Sequence, residues 1–340
     1  MKHTTDLALA VPQLTVTKNF RSIALLTSGG DAPGMNAAIR AVTRYALAHG
    51  LEVYGVNKGY SGLLEGQMDK LSASSVANII QRGGTILKTD RCAAFHRKNT
   101  RQEAANLLRR KGIDALVVIG GDGSFTGAHL LEKETGFPTI GIPGTIDNDI
   151  AGTEDTIGFD TALNTAIDAI DRIRDTASSH DRIFIVEVMG RSSGFIASAV
   201  GLGGGAETVL VPEKKTTVAE VLRTIERGIR RGKTSSIIVM AEGEKPGMCA
   251  KFADAIEKRG YATKVCILGH TQRGGKPTAH DRVLASVLGA SAVAYLLAGK
   301  SDAMVGIQNG EVRLIPFKSV MDGRKKLSLN HLELSQTLAT

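Results

Sequence analysis

Apolar runs that end in glycine-rich turns recur along this chain, and this pattern constrains its fold more than any other feature. Residues 22–26 lead into the turn at 27–34, and residues 115–119 lead into the turn at 120–124. Helix-length segments separate such runs, and one of these helices is expected to start near Ser72 and end at about Arg82. The last forty residues predict a short strand near 303–307 and then a polar tail. Strands that alternate with helices predict parallel sheets covered by helices on both faces. At least eight strands are needed, which favours two sheets over one very wide sheet. We therefore predict an α/β fold of two similar doubly wound parallel-sheet (Rossmann-like) lobes, with the active site in the cleft between them.

Composition narrows the class of partner. The 340 residues are 42% hydrophobic and 22% charged, as in ordinary globular proteins. The net charge of +8 favours anionic ligands, but aromatic residues are only 4% and no basic block alternates with them, so no nucleic-acid surface is expected. Three distant cysteines without a CxxC pair indicate neither zinc nor disulfides, and predict a cytoplasmic protein. No apolar run reaches membrane-spanning length, and residues 1–20 lack the pattern of a signal peptide.

Two of the glycine-rich turns have the character of phosphate-binding loops. The turn at 27–34 joins a strand to a helix that starts near Met35, which presents backbone N–H groups and the positive helix end to an anion. It is neither a GxGxxG motif nor a P-loop, and a purely geometric turn is the alternative. The second turn, residues 120–124, holds Asp122 among glycines. One carboxylate beside substrate phosphates is a common environment for Mg²⁺.

Residues 143–149, Pro-Gly-Thr-Ile-Asp-Asn-Asp, follow a predicted buried strand at 137–142. A chain that leaves the carboxyl end of such a strand enters the crevice where α/β proteins bind ligands. The two carboxylates, Asp147 and Asp149, can divide roles there, one near a metal and one accepting a proton. A solvated Asx turn is the alternative.

Five blocks, taken together and in this order, resemble the bacterial ATP-dependent 6-phosphofructokinases, over about residues 21–310. The blocks are residues 26–36, 120–124, 143–149, 189–191 (Met-Gly-Arg) and 269–275 (Gly-His-Thr-Gln-Arg-Gly-Gly). The resemblance implies a glycolytic kinase that transfers the γ-phosphoryl group of Mg-ATP to the 1-hydroxyl of D-fructose 6-phosphate. It also implies a cytoplasmic homotetramer, with allosteric control by a nucleoside diphosphate or phosphoenolpyruvate.

The resemblance further implies a role for each matching residue, with Asp147 as general base and Asp122 as Mg²⁺ ligand. The other implied catalytic residues are Thr145, Asp149 and Arg191. The implied ATP-binding residues are Gly30, Arg91, Cys92, Gly121, Asp122, Gly123 and Ser124. The implied substrate-binding residues are Thr145, Ile146, Asp147, Arg182, Met189, Gly190, Arg191, Glu242, Lys264, His270, Thr271, Gln272 and Arg273, of which Arg182 and Lys264 match residues that reach a neighbouring subunit. The implied allosteric residues are Arg40, Arg44, Arg174, Gly205, Glu207, Arg231 and Lys233.

The resemblance also divides the chain into an N-terminal extension (residues 1–20), an ATP-binding lobe (21–158 plus about 272–320) and a smaller sugar-phosphate lobe (159–271 plus the C-terminal tail). Two departures stand out: Lys264 replaces an arginine that binds the sugar 6-phosphate, and Gln67 replaces an effector-site arginine. Lysine keeps the charge but loses the bidentate fork.

Three other readings compete with this one. A pyrophosphate-dependent phosphofructokinase usually carries Asp in place of Gly123 and Lys in place of Gly144. A lipid or NAD kinase shares the Gly-Gly-Asp-Gly turn but not the blocks at 143–149 and 269–275. A non-catalytic nucleotide sensor would be expected to lack Asp122 or Asp147, and both are present.

Overall fold

The computed structural model describes residues 9–243 and 247–339. These residues form two compact units. The first contains the described residues up to Thr145, together with Ile150–Asp160 and Arg273–Lys325, and the second contains Ile146–Asp149, Thr161–Gln272 and the described residues from Lys326. Of the predicted N-terminal extension, residues 1–8 lie outside the described residues. Residues 9–20 form no regular element, and the Leu297 carbonyl accepts from the amides of Thr17 and Lys18 at 2.8 and 3.0 Å.

The described strands, in chain order, are β1 Ser22–Thr27, β2 Glu52–Val56, β3 Met68–Leu71, β4 Ala115–Gly120, β5 Thr139–Pro143, β6 Ile183–Val188, β7 Thr208–Leu210, β8 Ser236–Ala241, β9 Thr263–Ile267, β10 Ala303–Gln308 and β11 Glu311–Pro316. The described α-helices are α1 Met35–Ala48, α2 Gly59–Leu64, α3 Lys98–Arg110, α4 Asp122–Thr135, α5 Phe159–Ser179, α6 Phe195–Gly203, α7 Val218–Arg230, α8 Met248–Glu257, α9 Ala279–Leu297, α10 Phe317–Asp322 and α11 Asn330–Leu338. Short 3-10 helices occur at Ala93–His96 and Gly269–Arg273.

The first unit is built on a seven-stranded sheet with the order β11-β10-β5-β4-β1-β2-β3. Its five central strands are parallel, and β3 and β11 add to the edges in antiparallel orientation. Every residue of β1 and β4 is buried, as expected of central parallel strands covered on both faces. Because Gly120 on β4 lies opposite Pro143 on β5, the turns that follow these strands leave the sheet at one edge.

Helices α1 and α9 of this unit pack closely together, and Gly289 makes the approach possible. A Cβ atom at Gly289 would lie 2.8 Å from Ala41 Cβ and 2.9 Å from the Ala38 carbonyl oxygen. Any side chain at this position would therefore push the two helices apart.

The second unit is built on a four-stranded parallel sheet with the order β7-β8-β6-β9. Val188 on β6 lies opposite Ala241 on β8, and Glu187 lies opposite Ile267 on β9. The segments that follow these three strands therefore start at one edge of this sheet. Their sequences contain the Met-Gly-Arg block, Glu242 and the 269–275 block.

The α/β class with parallel sheets is confirmed, but two sequence expectations about individual elements are wrong. Residues 72–82, where a helix was expected, form successive turns. The C-terminal stretch, expected to be a polar tail after one strand, contains β11, α10 and α11. None of the helices in the described parts of the chain is both long and apolar enough to cross a membrane.

Candidate active site

In the first unit, the glycine turn at 120–124 is fixed by backbone hydrogen bonds at the end of β4. The Gly121 carbonyl accepts from the amides of Ser124 and Phe125, at 2.9 and 3.1 Å. The Gly120 carbonyl accepts from the Gly144 amide at 3.0 Å, which ties this turn to the end of β5. A Cβ atom at Gly120 would lie 2.6 Å from Ser124 Oγ and 2.6 Å from the Ser28 carbonyl oxygen, so only glycine fits this close packing.

The predicted metal ligand, Asp122, is the first residue of α4, and its side chain is exposed. A carboxylate in the first helical turn is favoured by the helix dipole, and the positive end of a helix also suits a phosphate. Gly123 beside it is also exposed, and no atom lies within 4 Å of the position a Cβ would take. The turn is therefore open on the side of these two residues.

A buried tyrosine forms a hydrogen bond with the backbone of the same turn. The hydroxyl of Tyr60 donates to the Ser124 carbonyl at 2.7 Å, and its ring stacks on Phe95 with centroids 4.0 Å apart. Burial raises the pKa of Tyr60 far above its usual range, so the hydroxyl keeps its proton and remains a donor. Tyr60 is not among the residues predicted from the sequence, and no motif around it marks it.

Three further predicted ATP-binding residues lie in the first unit. The guanidinium of Arg273 covers Gly30, because a Cβ atom at Gly30 would lie 2.9 Å from Arg273 Nη1. Arg273 was predicted to bind the sugar phosphate, and the structure places it against the first glycine-rich loop. Arg91 is exposed, and its amide donates to Asp90 at 2.7 Å. Cys92 is half-buried and packs against the hydrophobic core of this unit.

In the second unit, Asp147 lies beside the Met-Gly-Arg loop. Asp147 is only 5% exposed, and its Oδ2 lies 3.9 Å from Nε of Arg191. The Arg191 side chain is 58% exposed, so it remains accessible to a ligand. Arg191 and Asn148 both adopt left-handed backbone conformations, with φ of 51° and 49°. Such conformations of non-glycine residues are concentrated at functional sites.

Two predicted substrate contacts hold this loop through its backbone. The Met189 amide donates to Gln272 Oε1 at 2.8 Å, and the Arg191 amide donates to Glu242 Oε1 at 2.9 Å. Gln272 is fully buried, so its side chain fixes the loop from the interior. The pKa of neighbouring Glu187 is raised by burial and, to a smaller extent, by the charge of Glu242.

The remaining predicted substrate residues of this unit have more open positions. His270 and Thr271 are exposed in the 3-10 helix after β9, and Lys264 is exposed on β9, which is an edge strand. Arg182 is half-buried just before β6.

The structure brings four of the predicted allosteric residues together in pairs. Arg174 Nη2 donates to the carbonyl oxygens of Gly204 and Gly205 at 2.5 and 3.0 Å. Lys233 Nζ lies 3.2 Å from Glu207 Oε1, and Glu207 also accepts from the backbone of β8. Arg231 is exposed after α7 in the second unit, whereas Arg40 and Arg44 lie on α1 of the first unit.

Comparison with known proteins gives a consistent picture. Residues 22–296 match the family model described as Phosphofructokinase. The chain is 54% identical over 320 residues to the ATP-dependent 6-phosphofructokinase of Shouchella clausii, covering 94% of this chain and 99% of that protein. It is 55% identical over 320 residues to ATP-dependent 6-phosphofructokinase 1 of Thermus thermophilus, with the same coverage of 94% and 99%. The structure of phosphofructokinase from Saccharomyces cerevisiae is similar with a TM-score of 0.82 and 35% identity, covering 93% of this chain and 46% of that one.

Proposed function

Since this chain belongs to the phosphofructokinase family, we propose that it transfers the γ-phosphoryl group of ATP to the 1-hydroxyl of D-fructose 6-phosphate. The products are fructose 1,6-bisphosphate and ADP, and the reaction is a step of glycolysis. Two bacterial relatives named ATP-dependent 6-phosphofructokinases are more than half identical to the chain over nearly its whole length, which supports this assignment. The structural observation that carries it is the buried Asp147 carboxylate 3.9 Å from the accessible Arg191.

Asp147 is the general base in this reaction. Its carboxylate accepts the proton of the fructose 1-hydroxyl as the oxygen attacks the γ-phosphorus, and the leaving group is ADP. Phosphoryl transfer depends mainly on placement and on neutralising the phosphate charge. Arg191 contributes positive charge 3.9 Å from the base, and its exposed side chain can also reach a phosphate. Thr145 and Asp149 flank Asp147 and are assigned to the same transfer site.

Mg²⁺ fits the turn at 120–124 of the first unit, with Asp122 as its protein ligand. Within residues 9–243 and 247–339 there is no group of three or more His, Cys, Asp or Glu side chains that could hold a metal ion. A single carboxylate suits Mg²⁺ that is bound together with a nucleotide, because phosphate oxygens and water complete its shell. When bound, the ion would neutralise phosphate charge. The chain supplies the exposed Asp122 carboxylate and the backbone N–H groups of the turn at 121–124.

Two glycines favour ATP over pyrophosphate as the donor. Gly123 has open space around its missing side chain, so nothing there crowds or repels the α-phosphate of ATP. Gly144 is tightly enclosed: a Cβ atom would lie 3.0 Å from Ile119 Cγ2 and 3.2 Å from Met35 Cε. The lysine expected here in a pyrophosphate-dependent enzyme would require Ile119 and Met35 to shift by a few tenths of an ångström.

Membership of the phosphofructokinase family also suggests which residues bind the sugar phosphate and which bind an allosteric effector. Arg182, Lys264, Glu242 and His270 bind the sugar phosphate, with Arg182 and Lys264 acting on a neighbouring subunit of a homotetramer. The effector site contains Arg174, Gly205, Glu207 and Lys233, and it takes a nucleoside diphosphate or phosphoenolpyruvate. Sedimentation of the purified chain, and turnover with and without ADP and phosphoenolpyruvate, test these two assignments.

A donor comparison tests the proposed reaction itself. Purified enzyme is assayed with fructose 6-phosphate and Mg²⁺, and with either ATP or pyrophosphate. We expect kcat/KM for ATP to be well above that for pyrophosphate. Higher kcat/KM with pyrophosphate would establish the alternative donor. Phosphorylation of NAD⁺ or diacylglycerol, with fructose 6-phosphate inert, would contradict the assignment of substrate.

A further inference from the structure

The loop between β6 and α6, residues 189–194, has a conformation that needs external support. Gly190 and Arg191 both have positive φ, 142° and 51°, and the second value is disfavoured for a residue with a side chain. The amide and the hydroxyl of Ser193 both donate to the Gly190 carbonyl at 2.9 Å, which closes the loop into one tight turn. The direction of the Arg191 side chain is therefore set by the backbone of a short, strained loop.

Three side-chain oxygens from other elements of the second unit accept hydrogen bonds from the backbone of this loop. The pairs of donor and acceptor are Met189 with Gln272 at 2.8 Å, Arg191 with Glu242 at 2.9 Å, and Gly194 with Glu213 at 2.9 Å. Gln272 and Glu242 are already among the assigned substrate contacts. Glu213 has no assigned role, and it holds the end of the loop opposite to Gln272.

The position of Glu213 is itself well fixed. Pro212 and Glu213 are the two central residues of a turn after β7, closed by a bridge between Val211 and Lys214. Proline restricts the backbone of such a turn. Gly194 packs directly against this turn, because a Cβ atom there would lie 2.5 Å from Val211 Cβ and 2.8 Å from Glu213 Oε2. The turn and the end of the loop therefore form one packed contact.

We infer that Glu213 is a positioning residue for phosphoryl transfer, and that it acts by holding residues 189–194 so that Arg191 faces Asp147. This inference rests on the proposed function. The carboxylate of Glu213 fixes the Gly194 amide, the turn closed by Ser193 links Gly194 to Gly190, and Arg191 follows directly. Loss of the first contact lets the loop relax from its strained conformation, and the Arg191 guanidinium moves away from its position 3.9 Å from Asp147. Small displacements of a charged group near the reacting atoms have large effects on rate.

The test compares Glu213→Ala and Glu213→Gln with the wild-type enzyme in full kinetics with ATP and fructose 6-phosphate. We expect Glu213→Ala to lower kcat/KM for fructose 6-phosphate about tenfold, a loss of about 1.4 kcal/mol, with both a lower kcat and a higher KM for the sugar. KM for ATP should stay within about twofold, because the loop belongs to the sugar-phosphate machinery. Glu213→Gln should stay within about threefold of wild type, since its amide oxygen can accept the same hydrogen bond. Glu257→Ala, which removes an exposed acid on α8, is the matched control.

Thermal unfolding with and without fructose 6-phosphate provides a readout that does not need turnover. The sugar phosphate should raise the melting temperature of Glu213→Ala less than that of wild type or Glu213→Gln. If Glu213→Ala keeps wild-type kcat/KM for fructose 6-phosphate, or if KM for ATP rises as much as KM for the sugar, Glu213 only caps α6 and the inference is wrong. Equal loss in the Gln and Ala variants would also overturn it, because the charge and not the hydrogen bond would matter. Wild-type enzyme without turnover would instead overturn the proposed function, and the inference with it.

Discussion

Replacement of Asp147 by asparagine removes the proposed general base together with the negative charge that faces Arg191. Asparagine has nearly the same shape but cannot accept the proton of the fructose 1-hydroxyl. The loss of a positioned general base lowers a rate by roughly 10²–10⁴. The ion pair with Arg191 is lost as well. At 3.9 Å, two unit charges interact by about 4 kcal/mol at an effective dielectric of 20 and by about 1 kcal/mol in water.

The lower of these two values applies, because the Arg191 side chain is 58% exposed and solvent screens the pair. About 1 kcal/mol corresponds to about fivefold in affinity. We therefore expect Asp147→Asn to lower kcat at least about 100-fold, while KM for fructose 6-phosphate changes no more than about fivefold. Steady-state kinetics with saturating ATP measure both values.

The matched control is Asp254→Asn, which makes the same chemical change at an exposed acid on α8. It should leave both constants unchanged. The melting temperature of Asp147→Asn should stay within a few degrees of wild type, because only one partly screened ion pair is lost. A folded Asp147→Asn enzyme with kcat within tenfold of wild type would refute the assignment of Asp147 as the base.

Three further predictions concern the first unit. Gly123→Asp should raise KM for ATP about tenfold, because it adds a negative charge beside the proposed position of the nucleotide phosphates. The melting temperature should stay unchanged, because no atom lies within 4 Å of the new Cβ. An unchanged KM for ATP would show that Gly123 does not lie beside the nucleotide. Tyr60→Phe removes the buried hydrogen bond to the Ser124 carbonyl, so the free energy of unfolding should fall by about 1 kcal/mol. KM for ATP should rise a few-fold, while KM for the sugar stays unchanged. Equal changes in both KM values would contradict a role of Tyr60 confined to the turn at 120–124. The hydrogen bond to Asp155 raises the pKa of His280, so the protonated imidazole stabilises the fold below pH about 6.5, and this stabilisation is lost as the pH rises through the folded-state value. The difference in melting temperature between wild type and His280→Gln should therefore be larger at pH 6 than at pH 9. The change should be no more than about 1–2 °C, because His280 is partly exposed. A difference that grows as the pH rises would contradict the predicted direction.

The strands that end in glycine turns were predictable because each element carries a local signal. A continuous apolar run rich in Val, Ile and Leu and followed by glycine is typical of a central parallel strand, and β4 is such a run. The predicted start of α1 near Met35 is confirmed. The preceding Gly34 adopts a left-handed conformation with φ of 107°, which ends the turn and lets the helix begin. The Asn309-Gly310 pair also carried a usable signal: both residues have positive φ, 52° and 73°, as in the tight turns of β-hairpins, and they join β10 to β11.

The wrong helix at 72–82 has an identifiable cause. The Ser72 amide donates to Ser75 Oγ at 3.0 Å, and the Ser75 amide donates to Ser72 Oγ at 3.2 Å. These reciprocal bonds have the pattern of a capping box, which favours a first helical turn, so they do not themselves prevent the helix. Asn78 then adopts a left-handed conformation with φ of 54°, which a continuing helix excludes. The left-handed Asn78 ends the turn, and hydrophobic periodicity alone does not reveal it.

The candidate site was predictable only as a set of blocks. Their order identified the family, but not the residues that hold each loop in place. Gln272 accepts from the Met189 amide across 83 positions of sequence, and Tyr60 donates to Ser124 across 64. Contacts of this kind depend on how strands are ordered in the sheet, and no local sequence pattern around Tyr60 or Glu213 indicates them.

The central claim is that the γ-phosphoryl group of ATP is transferred to the 1-hydroxyl of fructose 6-phosphate. ATP labelled in its γ-phosphate, incubated with the enzyme, Mg²⁺ and fructose 6-phosphate, follows that group directly. We predict that the label appears on the C1 phosphate of fructose 1,6-bisphosphate, with one ADP formed for each labelled product. Label released only as inorganic phosphate, with fructose 6-phosphate unchanged, would contradict the account.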